Sequence, residues 1–408
     1  MTKIIRLGAA AGLLLLLGIL VSSAQTEIGA VPGPTPSLRP GYAGDGSCVG
    51  CHTTEATSYL HTAHHLTSQL PTTESVRGMF LAGGNTLTIV DPANDVGEPG
   101  LLFQMEARGN RFSEAAVTGF PPNFQRRTET IDIVTGSGKR GQTFLYWQGD
   151  RLFELPVSYW SDGNRLINSP GYPNGTADFA RPIHPACMEC HATYLQPLSA
   201  DPSTNHFNRA SFVPGISCET CHGAGAAHAE SHAGKRGTTS KSPDETILNP
   251  ARFSRDRQVE LCALCHNGIQ RESLAPAFSY IPGRQLAEFF KPIPSPVVEH
   301  PDVHGNQVGL LQRSRCYLSS PNMSCSTCHN THAAEKPAAS YSSVCLQCHQ
   351  WTSCGVSKKL GHAIADNCID CHMPIEPTKV ISSETAGQVV RAKMRNHWIK
   401  IYSGSTDH

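Results

Sequence analysis

The pattern Cys-x-x-Cys-His occurs seven times in this chain. The copies are Cys48-Val-Gly-Cys51-His52, Cys187-Met-Glu-Cys190-His191, Cys218-Glu-Thr-Cys221-His222, Cys262-Ala-Leu-Cys265-His266, Cys325-Ser-Thr-Cys328-His329, Cys345-Leu-Gln-Cys348-His349 and Cys368-Ile-Asp-Cys371-His372. Two thiols at this spacing match the two vinyl groups of a haem, and each adds to one of them as a thioether. The histidine that follows then reaches the iron from one face. Seven copies imply seven covalently attached c-type haems, with His52, His191, His222, His266, His329, His349 and His372 as proximal ligands. A lone Cys-x-x-Cys also suits half a zinc site or a dithiol redox pair, but neither needs a histidine after every copy.

The later six motifs crowd into Cys187–His372, about 31 residues apiece, too little chain for an ordinary hydrophobic core. The porphyrins must therefore serve as the core. The expected fold is a multihaem cytochrome c: loop-rich, with short α-helices wrapped around stacked haems. Such a chain should not fold without its cofactor, as small metal domains do not fold without metal. The abundance of glycine and proline suits loop-rich wrapping.

No motif lies between His52 and Cys187, and that interval has a different pattern. Thr86-Leu-Thr-Ile-Val, Leu101-Leu-Phe-Gln-Met, Thr130-Ile-Asp-Ile-Val, Thr143-Phe-Leu-Tyr-Trp and Leu152-Phe-Glu-Leu-Pro-Val are strand-like, and glycine with Asn or Asp marks turns between them. This predicts a small antiparallel β insertion over residues 75–170, serving as a docking surface or, more simply, a lid over the first haem. The remaining segments read as a signal peptide (1–24), a flexible Pro/Gly-rich lead-in (25–46), a first haem-binding segment (47–74), a six-haem core (171–378) and a C-terminal helical tail (379–408). Within that tail, Glu384 to Ile401 reads as helix.

Lys3 and Arg6 precede an apolar run from Leu7 to Val21 and the small residues Ser22 and Ala24. This is the layout of a cleaved secretory signal; an uncleaved anchor is the alternative. No cysteine follows the run, which argues against a lipid anchor. Export to the periplasm or beyond fits covalent haem attachment. Fourteen of the 16 cysteines lie in motifs, leaving Cys316 and Cys354 as either a disulfide or two free thiols. Formal net charge is zero, with no basic footprint for nucleic acid. Haem propionates would make the loaded protein more acidic than its sequence.

Of the 20 histidines, 13 lie outside the motifs: His61, His64, His65, His184, His206, His228, His232, His300, His304, His332, His362, His397 and His408. That is ample for a second axial ligand at every iron. His332 lies three residues after His329 and points from one turn towards a different iron, which would force two haems together. His228, His362, His304, His397 and His64 are the further choices. The seventh distal ligand is open between His184, His206 and a second member of the His61/His64/His65 trio. Met188, Met323 and Met373 read as packing residues.

Several stretches together resemble a known group. They are Cys48–His52 with Ser58-Tyr59 and His64; Ser158-Tyr-Trp160 and Ser169-Pro-Gly-Tyr172; Arg181-Pro-Ile before Cys187; Gly215-Ile-Ser-Cys218 through His228; Asn249-Pro-Ala-Arg; Ser314-Arg-Cys316; Ser324–His332; Asp366–Pro374; and His397-Trp-Ile. With these, the chain resembles multihaem c-type cytochromes related to the tetrahaem cytochrome of the hydroxylamine oxidation pathway, in particular exported bacterial relatives fused to helical repeats. The resemblance implies His64, His228, His304, His332, His362 and His397 as distal ligands, and packed haem pairs, some stacked and some perpendicular. The sequence ends at His408 soon after Trp398, so no role of those repeats is carried over.

Three functions fit. The first is an electron relay through bis-His haems, from a quinol-oxidising or periplasmic donor to an outer acceptor, with no catalytic residue. The second is a reductase or oxidase of a small nitrogen or sulfur compound, which needs one open iron with proton donors beside it. The third is a subunit of an extracellular haem filament. Intact mass and haem staining of the exported protein should give seven covalent haems; a smaller number refutes the motif reading.

Overall fold

The computed structural model describes residues 39–402, except 81, 92, 94, 96, 174–175, 235–245, 269–270, 293–298, 302–305 and 386. The expected signal, most of the lead-in, His304 and His408 lie outside the described residues. Among the described residues, no helix is long and apolar enough to cross a membrane.

Nine strands follow the first motif: β1 Ser68–Gln69, β2 Thr86–Val90, β3 Gly100–Arg108, β4 Arg111–Phe120, β5 Asn123–Thr130, β6 Ile133–Thr135, β7 Gly141–Gln148, β8 Arg151–Trp160 and β9 Arg165–Asn168. They form a four-stranded sheet, β2-β3-β4-β5, and a five-stranded sheet, β1-β6-β7-β8-β9, both antiparallel. The tight turn between β7 and β8 uses Gly149 at φ +64°, a conformation glycine adopts without steric cost.

Side chains alternate across a strand with period two, and the five-stranded sheet uses both faces. Phe144, Tyr146, Val134 and Val157 face the other sheet, packing with Phe103, Met105, Phe112 and Ala116. Leu145, Ile133 and Leu152 point the opposite way and pack with Ile183, Met188, Ala192, Leu195 and Phe207. Met188 lies inside the second haem motif. The sheets thus rest on the second motif through a shared apolar core, where a lid over the first was expected. The physical reason is the doubly apolar β7, which must bury two faces.

Three two-stranded ribbons follow: β10 Ala192–Tyr194 with β11 Val213–Pro214, β12 Arg271–Ser273 with β13 Phe290–Pro292, and β14 Ile375–Thr385 with β15 Gln388–Arg395. The last ribbon corrects the expected C-terminal helix. Val390 and Ala392 are buried while Val389, Arg391 and Lys393 are exposed, which is strand alternation. Gly387, at φ +75°, turns the chain back. This hairpin docks on β9: Asn168 Nδ2 donates to Glu384 O at 2.6 Å, and Ser383 Oγ donates to Asn168 O at 2.6 Å. The tail is held by the β sheets before it reaches His397.

Phe103 is fully buried between the sheets, whereas Phe120 is half exposed at a hairpin tip. Phe103→Ala should cost about 3–5 kcal/mol, and Phe120→Ala less than about 0.5 kcal/mol. Denaturant unfolding of the haem-loaded protein checks the contrast.

Candidate functional site

The motifs sit on short helical turns. The N–H of His52, His329 and His349 donates to the carbonyl of Cys48, Cys325 and Cys345, each at 2.9 Å. This i to i+4 closure sets both thiols and the imidazole on one side of the turn. Helices Pro185–His191, Cys218–His222, Arg255–His266 and Cys368–His372 do the same for four other motifs.

Four proximal histidines face a second imidazole. Ring centroids are 6.3 Å apart for His52 and His228, 5.9 Å for His222 and His332, and 6.2 Å for His329 and His397, with planes within 28° of parallel. His266 and His64 are 5.9 Å apart with planes at 85°. A metal held by two imidazole nitrogens at about 2 Å from each separates the ring centroids by about 6 Å. These four pairs fit one iron each. His228, His332, His64 and His397 stand where the sequence reading assigns distal ligands.

The surroundings keep the imidazoles in the ligating form. Burial holds His64 and His397 down at about 4, and lowers His266, His329 and His332 as well. Backbone carbonyls accept from Nδ1: Leu248 O from His222 at 2.8 Å, Lys400 O from His372 at 2.9 Å and Arg395 O from His397 at 3.1 Å. Each leaves Nε2 with its lone pair free for a metal. His191 Nδ1 lies 3.1 Å from Thr67 Oγ1.

Contacts between motifs run across the sequence. The thiols of Cys48 and Cys218 lie beside each other, as do those of Cys262 and Cys325. Cys190 Sγ approaches Leu264 O at 3.9 Å while Cys265 Sγ approaches Glu189 O at 4.0 Å, so the second and fourth motifs meet reciprocally. Cys368 N donates to Ser342 Oγ at 3.0 Å, joining the sixth and seventh.

The other histidines are placed differently. His362 packs against Trp351 at 5.2 Å. His300 meets Glu376 Oε2 at 2.8 Å. His184 Nδ1 faces Thr204 O at 3.4 Å. His206 is removed from the open choices, since Nδ1 meets Asp150 at 2.9 Å and Nε2 accepts from Arg151 at 3.0 Å. Its ring serves the β7–β8 turn. His65 lies with Nδ1 3.6 Å from Asp45. Cys316 and Cys354 are free thiols.

Sequence reasoning missed the two glutamates inside motifs. Glu219 is buried; Oε1 accepts from Ala43 and Gly225 N–H and Oε2 from Gly44 N–H, all at 2.8 Å. Glu189, also buried, accepts from Phe278 N–H at 2.8 Å. An acidic residue between two motif cysteines was the available signal.

Residues 174–223 match the family described as cytochrome c554 and c-prime. A stretch of 90 residues is 29% identical to the C-type polyheme cytochrome OmcC of Geobacter sulfurreducens, covering 21% of this chain and 10% of that one. The chain therefore spans only about a tenth of that relative. The outer cell wall cytochrome OcwA, a crystal structure, superposes with a TM-score of 0.51 at 18% identity, over 88% of this chain and 80% of that one. These stretches are similar to multihaem c-type cytochromes, and the fold is similar to that of one of them. In this chain the facing imidazoles and the motif thiols are the groups that would hold covalent haem.

Gly215 positions one of those imidazoles. It has φ +66°, and a Cβ there would lie 1.9 Å from His65 O. Gly215→Ala should therefore displace His64 from the fourth motif and raise a high-spin signal in absorption and EPR spectra. Gly149→Ala shares the unfavourable φ but meets open space, and should leave the spectra unchanged.

Proposed function

We propose that this cytochrome is an exported heptahaem electron relay, passing electrons through bis-His haems between redox partner proteins. The observation that carries this reading is the origin of the facing imidazoles. The fourth motif takes His64, which follows the first motif; the first takes His228, which follows the third. The third takes His332, which follows the fifth, and the fifth takes His397 from the tail. Each distal residue is borrowed from another part of the chain, so neighbouring irons are drawn together.

Bound haem supplies one-electron chemistry, and two imidazoles per iron leave no position for a substrate. The chain's own residues keep the imidazoles neutral, fix their tautomers through backbone carbonyls and exclude water by burial. His304 and His362 bring the proposed distal ligands to six, and the seventh stays open between His184 and a second member of the His61/His64/His65 trio. The match to the cytochrome c554 and c-prime description supports the finer likeness to the tetrahaem cytochrome of hydroxylamine oxidation. A quinol-oxidising or periplasmic donor and an outer acceptor, and residence in the periplasm or outside the cell, are part of the same proposal.

His397→Ala tests it. The fifth motif should lose its sixth ligand, converting about one haem in seven to high spin and creating one carbon monoxide site. An unchanged low-spin spectrum refutes the assignment. Carbon monoxide binding to the unaltered protein would favour an open haem and an enzyme.

A further inference from the structure

Two carboxylates lie near each other, Glu114 buried between the sheets and Glu154 mostly buried beside Arg181. Glu114, on β4, is fully buried; Oε1 accepts from Val157 N–H at 3.1 Å, and Oε2 has no partner. The Val157 N–H is available because the β7–β8 register slips between Thr143 and Leu145, opposite the stretch of β8 containing Pro156. Glu154, also on β8, has a side chain only 12% exposed, with Oε2 3.2 Å from Arg181 Nε. Arg181 donates to Pro170 O at 2.7 Å and lies over the Tyr172 ring at 5.0 Å. The Tyr172 hydroxyl donates to Glu154 O at 2.7 Å.

This cluster is stitched to the second motif. Glu154 N donates to Arg181 O at 3.0 Å, and Ile183 N to Leu152 O at 2.9 Å. Two residues later Pro185 opens the helix that carries Cys187, Cys190 and His191. Both Glu154 and Arg181 act electrostatically on Cys187. Among the described residues, the charged and titratable groups facing Glu154 and Glu114 are each other, Arg181, Tyr172 and Cys187, with Asp178 beside Tyr172. Burial drives Glu154 up to about 7, outweighing the opposing Arg181, and pushes Glu114 well above the usual carboxylate range.

We propose that Glu154, backed by Glu114, is a redox-linked proton acceptor for the haem at Cys187 and Cys190. It takes one proton from solvent when one electron reaches that iron, and returns it when the electron passes to the next acceptor. The proposal rests on the haem reading of this motif. Ferric iron becomes ferrous and the carboxylate becomes a carboxylic acid, so the net charge of the site is unchanged. No bond other than O–H forms or breaks. The electron comes from a low-potential reductant, and its negative charge raises the proton affinity of a nearby carboxylate in a poorly screened site. The partly exposed Arg181 edge gives the proton a short way in.

The test is a spectroelectrochemical titration of the haem-loaded full chain, with dithionite as reductant, from about pH 6 to 8. Reduction that draws in a proton becomes harder as pH rises. One midpoint should therefore fall with pH, by up to about 59 mV per unit, the one-electron equivalent of a tenfold change. Glu154→Gln should flatten that midpoint alone, whereas Glu154→Asp, which keeps a carboxyl, should retain a slope. An unaltered slope in Glu154→Gln, or a flat midpoint in the native protein with haem present, overturns the proposal. Haem missing from the Cys187–Cys190 peptide by mass overturns the cofactor reading itself.

Discussion

An imidazole that faces a motif histidine across about 6 Å can share one iron with it, and this spacing recurs at four places. Each pair ties two distant parts of the chain to a single point. His64 and His266 are separated by roughly two hundred residues, as are His52 and His228, so a shared iron would close very long loops. Hydrogen bonds such as those from Ala43 and Gly44 to Glu219 also join these segments, while helices in the motif region are short and their hydrophobic clusters small. The order of the chain in space follows from which histidine reaches which motif.

The β sheets supply what the motif region lacks, a core made of side chains. β7 sends alternate residues into two apolar clusters, one between the sheets and one around the second motif helix. The same scaffold holds the C-terminal hairpin through Asn168, Ser383 and Glu384, and so determines where His397 arrives. Backbone bonding then finishes the placement: Ser314 Oγ accepts from Ile399 N–H at 2.8 Å, and the carbonyl of Arg395 accepts a hydrogen bond from His397 Nδ1 at 3.1 Å. Glu114, opposite a register slip in β7–β8, puts a buried carboxylate into the apolar cluster between the sheets.

Much of the site was legible because covalent haem attachment demands adjacent residues. The thiols and proximal histidines are local in sequence, so spacing alone finds them. His332 was legible for the same reason. His64, His228 and His397 needed the resemblance as well as their position, since nothing local distinguishes a distal ligand from a surface histidine. His206 shows the converse: as plausible by proximity as its rivals, it is spent on Asp150 and Arg151 in a turn. The tail was misread as helix because Glu384 to Ile401 contains good helix formers. The alternation of Val390 and Ala392 with charged residues only decides the matter once β9 offers a surface to dock on.

The sequence by itself determined the seven motif spacings, the covalent-haem chemistry they call for and the presence of a strand-rich interval without motifs. These follow from bonding rules that act within five residues or from a period of two. Tertiary structure decided which imidazole meets which motif, that the sheets back the second motif, and that the tail is a hairpin. It also buried Glu114 between the sheets and placed Glu154 near that motif. Those outcomes depend on contacts between residues far apart in the chain, where burial and geometry, not spacing, set the free energy.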